Sequence, residues 1–543
     1  MKKIIAILCA LAVLCGGAAL AGGFSGSGGQ FSERSNGVGF GGTGANDAAS
    51  ALRRLGGQPR YQICGTRTSM PNGTASTVGQ AGHTFRWKSY LPYGGKNIRL
   101  IFGGYTTAFG AAETSIKPAS YYAKTCTSVV GGTGYTKGDL INPTVASNNT
   151  APQAIVDLVD GSGTVLQCSV VDPGLLYLRP ADALATTSPG AGDDALTVTF
   201  GLEEVAYGFK VGLEQAWGVD QAAYSGSNLD GVLTLHKGFT YGGRDSLIRV
   251  PSGGFVWTDP NPNQSTFAAG TSIGIRMDTN GFGCARELPL ISGTEHSALT
   301  SFTNYNADLA WGGTYGTSGG NACGALAIMC ELDEPKPSFV LIGDSILTSG
   351  ATIDSNGYNS WIKQAVGNQQ PWTAMTRSGD QVGDWLDHAD LQRMMTAINE
   401  LKPSHCIDAL GTNDFSGGAS YATVIAKKIA FWSALTRAGC GTIWVTTITP
   451  YCTCATDCSS ADDMTAGAGN TATQTYNTNA RANAFTAYNV SKTIDVAVLV
   501  ESPTKAGTWI VGETADCVHP DASGHELMRA GTTGEFTNVS LPQ

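Results

Sequence analysis

Short apolar or alternating runs, separated by Gly, Asn, Asp and Pro, fill residues 51–330, as in Ile98-Arg99-Leu100-Ile101-Phe102 and Ala195-Leu196-Thr197-Val198-Thr199-Phe200. Period-two patterning bounded by turn residues predicts strands, and many such strands at close spacing predict an all-β sandwich or barrel region. Within it, residues 126–205 carry their own turns, Gly131-Gly132-Thr133-Gly134-Tyr135 and Asp160-Gly161-Ser162-Gly163, and a possible bracket in Cys126 and Cys168, so they read as an inserted small β module. A charged, proline-punctuated stretch, Glu331-Leu332-Asp333-Glu334-Pro335-Lys336-Pro337, then reads as a linker. Beyond it the pattern changes. Strand-like runs at Phe339–Ile342, Cys406–Leu410, Thr442–Ile448 and Ile494–Val500 alternate with helix-like ones at 384–401, Tyr421–Ala438, Thr471–Tyr488 and Gly524–Arg529. That alternation over 338–543 predicts a parallel α/β sheet covered by helices on both faces, in which chemistry belongs at the carboxyl ends of the strands.

The first 50 residues follow neither pattern. Met1-Lys2-Lys3, the apolar run Ile4–Leu14 and the small residues ending Ala19-Leu20-Ala21 have the three parts of a secretory signal peptide, residues 1–21, cleaved near Ala21. Cys15 invites a lipoprotein reading, but Leu14 stands where a lipobox needs a small residue. Residues 22–50 form a Gly-rich leader; Gly39, Gly41 and Gly44 satisfy a dinucleotide-type glycine spacing, without the strand and helix that would give it meaning. No later run approaches the roughly 18 apolar residues of a membrane span. The expected product is secreted, extracellular or periplasmic. Cys9 and Cys15 lie in the signal peptide, so twelve of the fourteen cysteines remain in the mature chain, an even number that favours disulfides. The Cys452, Cys454, Cys458 spacing lacks a paired zinc arrangement and reads as structural bridges.

Composition narrows the function. Hydrophobic residues at 42% and charged residues at 14% exclude a disordered polyelectrolyte, and a net charge of −10 leaves no basic footprint for nucleic acid. Glycine, 72 of 543 residues, suits a turn-rich β architecture.

The run Phe339-Val340-Leu341-Ile342 leads directly into Gly343-Asp344-Ser345, which sets a hydroxyl at the end of a buried strand, a suitable place for a nucleophile. Near the C-terminus, Asp516-Cys517-Val518-His519-Pro520 supplies a base with an aspartate three residues earlier. In one loop, Asp516 can accept the Nδ1 proton of His519 and leave Nε2 to deprotonate Ser345. Without the other blocks, the same Asp-x-x-His is a surface loop with a turn-making aspartate. Oxyanion donors are available from Gly379 in Arg377-Ser378-Gly379-Asp380 and Asn413 in Gly411-Thr412-Asn413-Asp414; read blandly, these are turn glycines and a helix cap.

Gly-Asp-Ser at 343–345, Gly379, Gly411-x-Asn413-Asp414 and Asp516-x-x-His519-Pro520, in this order, resemble the SGNH (GDSL-type) hydrolase family over about residues 338–531. The resemblance implies a flavodoxin-like α/β/α fold, a catalytic triad of Ser345, Asp516 and His519, an oxyanion hole of Ser345, Gly379 and Asn413, and no metal or organic cofactor. Gly383 is the alternative to Gly379. Ile346 stands where the family has leucine, and Cys517 occupies the middle of the last block, where a disulfide would pin the loop. Upstream, Phe85-Arg86-Trp87-Lys88 and Phe255-Val256-Trp257-Thr258-Asp259-Pro260 resemble the jelly-roll accessory domains of some secreted SGNH esterases.

Gly316-Thr317-Ser318-Gly319-Gly320 also satisfies a G-x-S-x-G elbow, but Trp311–Tyr315 is not the buried strand that elbow needs. His83, His236, His296, His388 and His405 show no paired ligand spacing, and His525 reads as a local packing residue. Trp217, Trp257 and Trp311 are candidate sugar platforms, although a lone tryptophan in a sandwich reads first as core. The expectation is a secreted serine esterase acting on short acyl esters, foremost O-acetyl groups of a polysaccharide. Its alternatives are a broad carboxylesterase or lipase and a glycan-binding surface protein with a silent hydrolase scaffold.

Overall fold

Six parallel strands make the central sheet: β1 (Thr68–Ser69), β2 (Phe339–Gly343), β3 (Trp372–Thr376), β4 (His405–Asp408), β5 (Thr442–Thr446) and β6 (Val490–Ile494), in the spatial order β1-β3-β2-β4-β5-β6. In this computed structural model the described residues are 61–69, 83–103, 120–130, 132–143, 151–172, 184–187, 196–205, 207–214, 239, 248–250, 254–261, 266–278, 290–291, 302–305, 317–318, 322–323, 325–348, 358–387 and 389–542. The chain divides into two units, Met1–Tyr61 and Gln62–Gln543, and all the architecture below belongs to the second. The expected signal peptide, residues 1–21, and Gly-rich leader, residues 22–50, lie outside the described residues.

Without β1, the order of the sheet is that of a flavodoxin-like fold, with the direction of winding reversing beside β2. Every residue of β2 to β5 is buried; β2 is accordingly an apolar run, whereas β3, β4 and β5 mix apolar residues with buried Thr373, Thr376, His405, Asp408, Thr442 and Thr446. On one face Phe339, Leu341, Trp372, Ile407 and Trp444 share a core with Trp361 and Ile362 of α2 (Trp361–Val366) and Met528 of α7 (Ala522–Thr532). Other helices among the described residues are α1 (Ser345–Thr348), α3 (Ala389–Leu401), α4 (Thr412–Ser416), α5 (Tyr421–Ala438) and α6 (Asn470–Arg481), with short helical turns at Asp384–Asp387 and Ala497–Val500; α5 packs on α3 and α6.

Four elements differ from expectation. The helix expected at 384–401 is two pieces, Asp384–Asp387 and α3. Strand β3 and its preceding helix α2 had no place in the predicted alternation. The strand expected at Ile494–Val500 is Val490–Ile494 instead, and Ala497–Val500 is a helical turn. As the sheet's edge, β6 tolerates Ser491, Lys492 and Thr493, while the apolar Ala497 and Val500 are buried beyond the strand's end.

The upstream region is sheet-rich and antiparallel. Trp87, Leu91, Ile98, Leu100, Val211, Val256, Ile273 and Ile275, drawn from two sheets, share one core. Residues 120–205 hold a separate six-stranded sheet with its own core, including Ala123, Tyr135, Ile141, Val156 and Val198. Its two end strands, Ser120–Val130 and Val165–Asp172, meet and are joined by Cys126–Cys168.

Although the linker separates the two regions in sequence, residues 62–69 cross between them. Cys64 is bridged to Cys330, Thr66 Oγ1 lies 2.8 Å from Tyr358 OH, and Gly65 O accepts from Trp372 N. Thr68 and Ser69 then pair with Thr373 and Ala374 as the edge strand of the hydrolase sheet, and Thr373 Oγ1 donates to Leu326 O. Thr66, Thr68 and Thr373 are fully buried, so each hydroxyl is paired where an unpaired one would be costly.

Candidate active site

Strand β2 delivers Ser345 to the carboxyl edge of the sheet. Asp344, 1% exposed, shapes the turn: its Oδ1 accepts the N–H of Ile346 at 3.0 Å, and its carbonyl accepts the N–H of Leu347 and the hydroxyl of Thr348. A side-chain oxygen bonding two residues ahead is how an aspartate starts a helical turn, so α1 begins at the serine itself. Burial pushes the Asp344 carboxyl up to about 7, against the N–H of Ile346 and the positive field of its surroundings.

The C-terminal loop brings the candidate base, His519, to the serine. His519 Nε2 is 2.8 Å from Ser345 Oγ, and His519 Nδ1 is 2.7 Å from Asp516 Oδ2. Asp516 Oδ1 accepts the backbone N–H groups of Val518 and His519 at 2.9 and 2.7 Å. Burial raises the Asp516 pKa, but the bonds from the His519 ring and the two backbone amides outweigh it and hold the carboxyl below its ordinary value. An ionised carboxylate only accepts, so Nδ1 carries the proton and Nε2 is left to accept from the serine hydroxyl.

This loop is fixed from several sides. Thr514 Oγ1 donates to His519 O at 2.7 Å and accepts from Cys517 N at 3.0 Å. Cys517, at φ 67°, is bridged to Cys452, and its carbonyl accepts from Cys452 N and Trp509 Nε1. The cysteine between Asp516 and His519 therefore ties the loop to the hairpin Cys452–Cys454/Met464–Ala466, which a second bridge, Cys454–Cys458, closes at its tip. The sulfurs of Cys454, Cys458 and Cys517 lie within 4.8 Å of one another, but as parts of disulfides they offer no thiolate to a cation.

The two other blocks meet across the strand ends. Gly379, at φ 81°, sits in the turn after β3, and Asn413 is the second residue of α4. Asn413 Nδ2 donates to Asp380 O at 2.9 Å, and Asp414 Oδ2 accepts Val382 N at 2.9 Å, so α4 holds the 379–382 loop at two points. Gly411 before it has φ 129°, a backbone that L side chains rarely adopt, and a Cβ there would meet Ile448 at 2.9 Å. Gly379 directly precedes the residue that Asn413 grips. Gly383 lies farther along and faces Lys427, whose Nζ would be 2.6 Å from an added Cβ. Asp380 is paired with Arg377, a contact that sequence inspection passes over because Arg-x-x-Asp in a glycine-containing turn looks like solvated loop.

The other candidates are placed elsewhere. Ser318 lies in a two-residue strand, Thr317–Ser318, paired antiparallel with Phe302–Thr303, not at a strand-to-helix turn. His405 is buried at the amino end of β4, stacked on Phe339 at 4.8 Å and bonded through Nδ1 to Ser404 Oγ; burial first, then Lys492, lower its pKa to about 4. His525 is buried, its Nδ1 accepts from Trp361 N at 3.1 Å, and burial is the main cause of a pKa near 4. His83 and Trp257 lie in upstream strands. Trp217, Trp311, His236, His296 and His388 are outside the described residues.

Residues 339–530 match the family model GDSL-like Lipase/Acylhydrolase. No curated protein matches the chain. Among solved structures, a GDSL-like lipase from Bacteroides thetaiotaomicron VPI-5482 is similar at 16% identity and a TM-score of 0.26, over 38% of this chain and 91% of that one. A member of the lipolytic protein G-D-S-L family from Veillonella parvula DSM 2008 is similar at 16% identity and a TM-score of 0.26, over 38% of this chain and 100% of that one. An acetyl esterase mutant with an acetate ion is similar at 15% identity and a TM-score of 0.27, over 37% and 96%. By its family match, the chain carries at 339–530 a GDSL-like lipase/acylhydrolase domain and is a carboxylic ester hydrolase.

Proposed function

We propose that this ester hydrolase is a secreted enzyme that removes short acyl groups, foremost O-acetyl from a polysaccharide, through Ser345, His519 and Asp516. The observation that carries the mechanism is the unbroken chain from Ser345 Oγ to His519 Nε2 and from His519 Nδ1 to Asp516. Ser345 Oγ attacks the ester carbonyl carbon while its proton passes to Nε2. The N–H groups of Ser345 and Gly379 and the Asn413 amide receive the oxyanion, each donor contributing about 3 kcal/mol to the transition state. Collapse breaks the ester C–O bond, and the leaving oxygen takes the proton from His519. Water, deprotonated by the same Nε2, then attacks the acyl-serine and returns Ser345 and the free acid.

Short acyl groups suit the surroundings. Next to the catalytic loop, Thr453, Thr456, Asp457, Ser459, Ser460 and Asp462 are exposed and polar, and Gly417 and Gly418 at the end of α4 are exposed as well. A lipase meets lipid through a broad apolar surface. The signal-peptide pattern at 1–21 and the disulfides Cys64–Cys330, Cys406–Cys440 and Cys452–Cys517 support export to an oxidising compartment. We read the upstream sheets as a jelly-roll-like accessory that keeps the enzyme on its polymer.

The test is kcat/KM across aryl acetate, butyrate, octanoate and palmitate, with acetate release from acetylated xylan and pectin. A chain gains about 0.8 kcal/mol per buried methylene only where an apolar groove receives it. The expected result is the highest value at acetate or butyrate, with acetate freed from at least one glycan. Rates that climb toward octanoate, with no acetate from any glycan, move the enzyme to the lipase reading.

A further inference from the structure

Arg377 and Asp380 form an ion pair with side chains only 5% and 1% exposed. Taking two charges out of water costs several kcal/mol per ion, and apolar residues of the same volume often stabilise a fold as well, so fold stability is a poor reason for such a pair. Its position supplies a better one. The pair spans positions 377 and 380, and Asp380 N also donates to Arg377 O, so it closes a four-residue turn that contains Gly379. On one side, Arg377 N donates to Gly343 O at 3.1 Å, two residues before Ser345. On the other, Asp380 O accepts the Asn413 amide at 2.9 Å. The guanidinium lies 5.4 Å from the centre of the buried Trp385 ring, which limits its movement.

We propose that the Arg377–Asp380 pair is a positioning device for the oxyanion hole, locking the Gly379 turn to the nucleophile strand and setting the plane of the Asn413 amide. One hydrogen of that amide is fixed on Asp380 O, which determines where the other points. A transition-state donor must be placed to a fraction of an ångström, and a displacement near 1 Å costs on the order of 10²-fold in rate. Substrate in its ground state needs none of this, so KM is insensitive to the pair.

The inference rests on Asn413 being an oxyanion donor, and a double-mutant cycle on the full chain separates the two claims. Asn413→Ala is expected to lower kcat roughly 10²-fold. Asp380→Asn, and the charge-free pair Arg377→Gln with Asp380→Asn as the variant that leaves no lone buried charge, are each expected to lower kcat by about 10-fold or more, with KM within about two-fold. Placed on top of Asn413→Ala, the same changes should lower kcat clearly less than they do in the wild-type background, because one of the two donors they position is already gone and only the Gly379 N–H is left to misplace. Undiminished kcat in the folded charge-free pair, or an equal further loss in the Asn413→Ala background, overturns the positioning role. Unchanged kcat in Asn413→Ala alone overturns the oxyanion reading beneath it.

Discussion

Replacing Ser345 by Ala is expected to lower kcat/KM on an aryl acetate by roughly 10⁴-fold or more, with thermal stability essentially unchanged. The hydroxyl is half-buried and its hydrogen bond is to His519, so its loss leaves no buried partner unsatisfied. His519→Ala should cost a similar amount, and the double variant little more than either single one, because a nucleophile without its base is already disabled. Asp516→Asn keeps an acceptor for the Val518 and His519 amides but presents the wrong tautomer to Ser345, so a loss of roughly 10³–10⁴-fold is expected with the loop intact. Additive losses across Ser345 and His519 would contradict a single catalytic unit.

A fragment beginning at residue 338 is expected to be strongly destabilised or insoluble, although the linker at 331–337 invites that cut. It removes β1, and with it the partners of Trp372, Thr373 and Ala374 along the edge of the sheet. Tyr358 and Trp372, both about 1% exposed, lose the cover of residues 64–68, and burying an aromatic of this kind stabilises by roughly 1.5–3 kcal/mol. Adding an open strand edge and the loss of the Leu326 acceptor for the Thr373 hydroxyl brings the loss to several kcal/mol, a large part of the roughly 5–15 kcal/mol that holds a domain folded. Circular dichroism and thermal melting of this fragment beside the full chain decide the matter. A fragment that melts cooperatively near the full chain's temperature and hydrolyses aryl acetate would show that residues 62–69 are dispensable.

The parts of the fold that could be read in the sequence are those whose burial leaves a mark on composition. Strand β2 is covered on both faces and is an apolar run, β5 keeps an apolar centre at Ile443, Trp444 and Val445, and the bounds of α5 are marked by Ser420, whose side chain accepts Thr423 N, and by Gly439, which ends it at φ 101°. Strand β6 leaves no apolar signature because an edge strand need not be apolar, and β1 leaves none because two residues carry no period. In the candidate site, the blocks that carry Ser345, Asp516 and His519 are legible in the sequence, and the structure brings these three side chains into hydrogen-bond contact. What the sequence withheld were contacts between blocks: Asn413 to Asp380, Cys452 to Cys517, and the Arg377–Asp380 pair. Each joins residues brought together by the closing of the sheet or by the folding of one turn, and neither event alters residue periodicity.

The central claim is that Ser345 is the activated nucleophile, and covalent labelling of the full chain by a fluorophosphonate, followed by peptide mapping, tests it most directly. Only a serine whose proton has a base to go to attacks such a probe quickly. The account predicts one adduct, on Ser345, formed rapidly in the wild type and slowed by orders of magnitude in His519→Ala. An adduct on Ser318, or no adduct on a protein that hydrolyses esters, would contradict it.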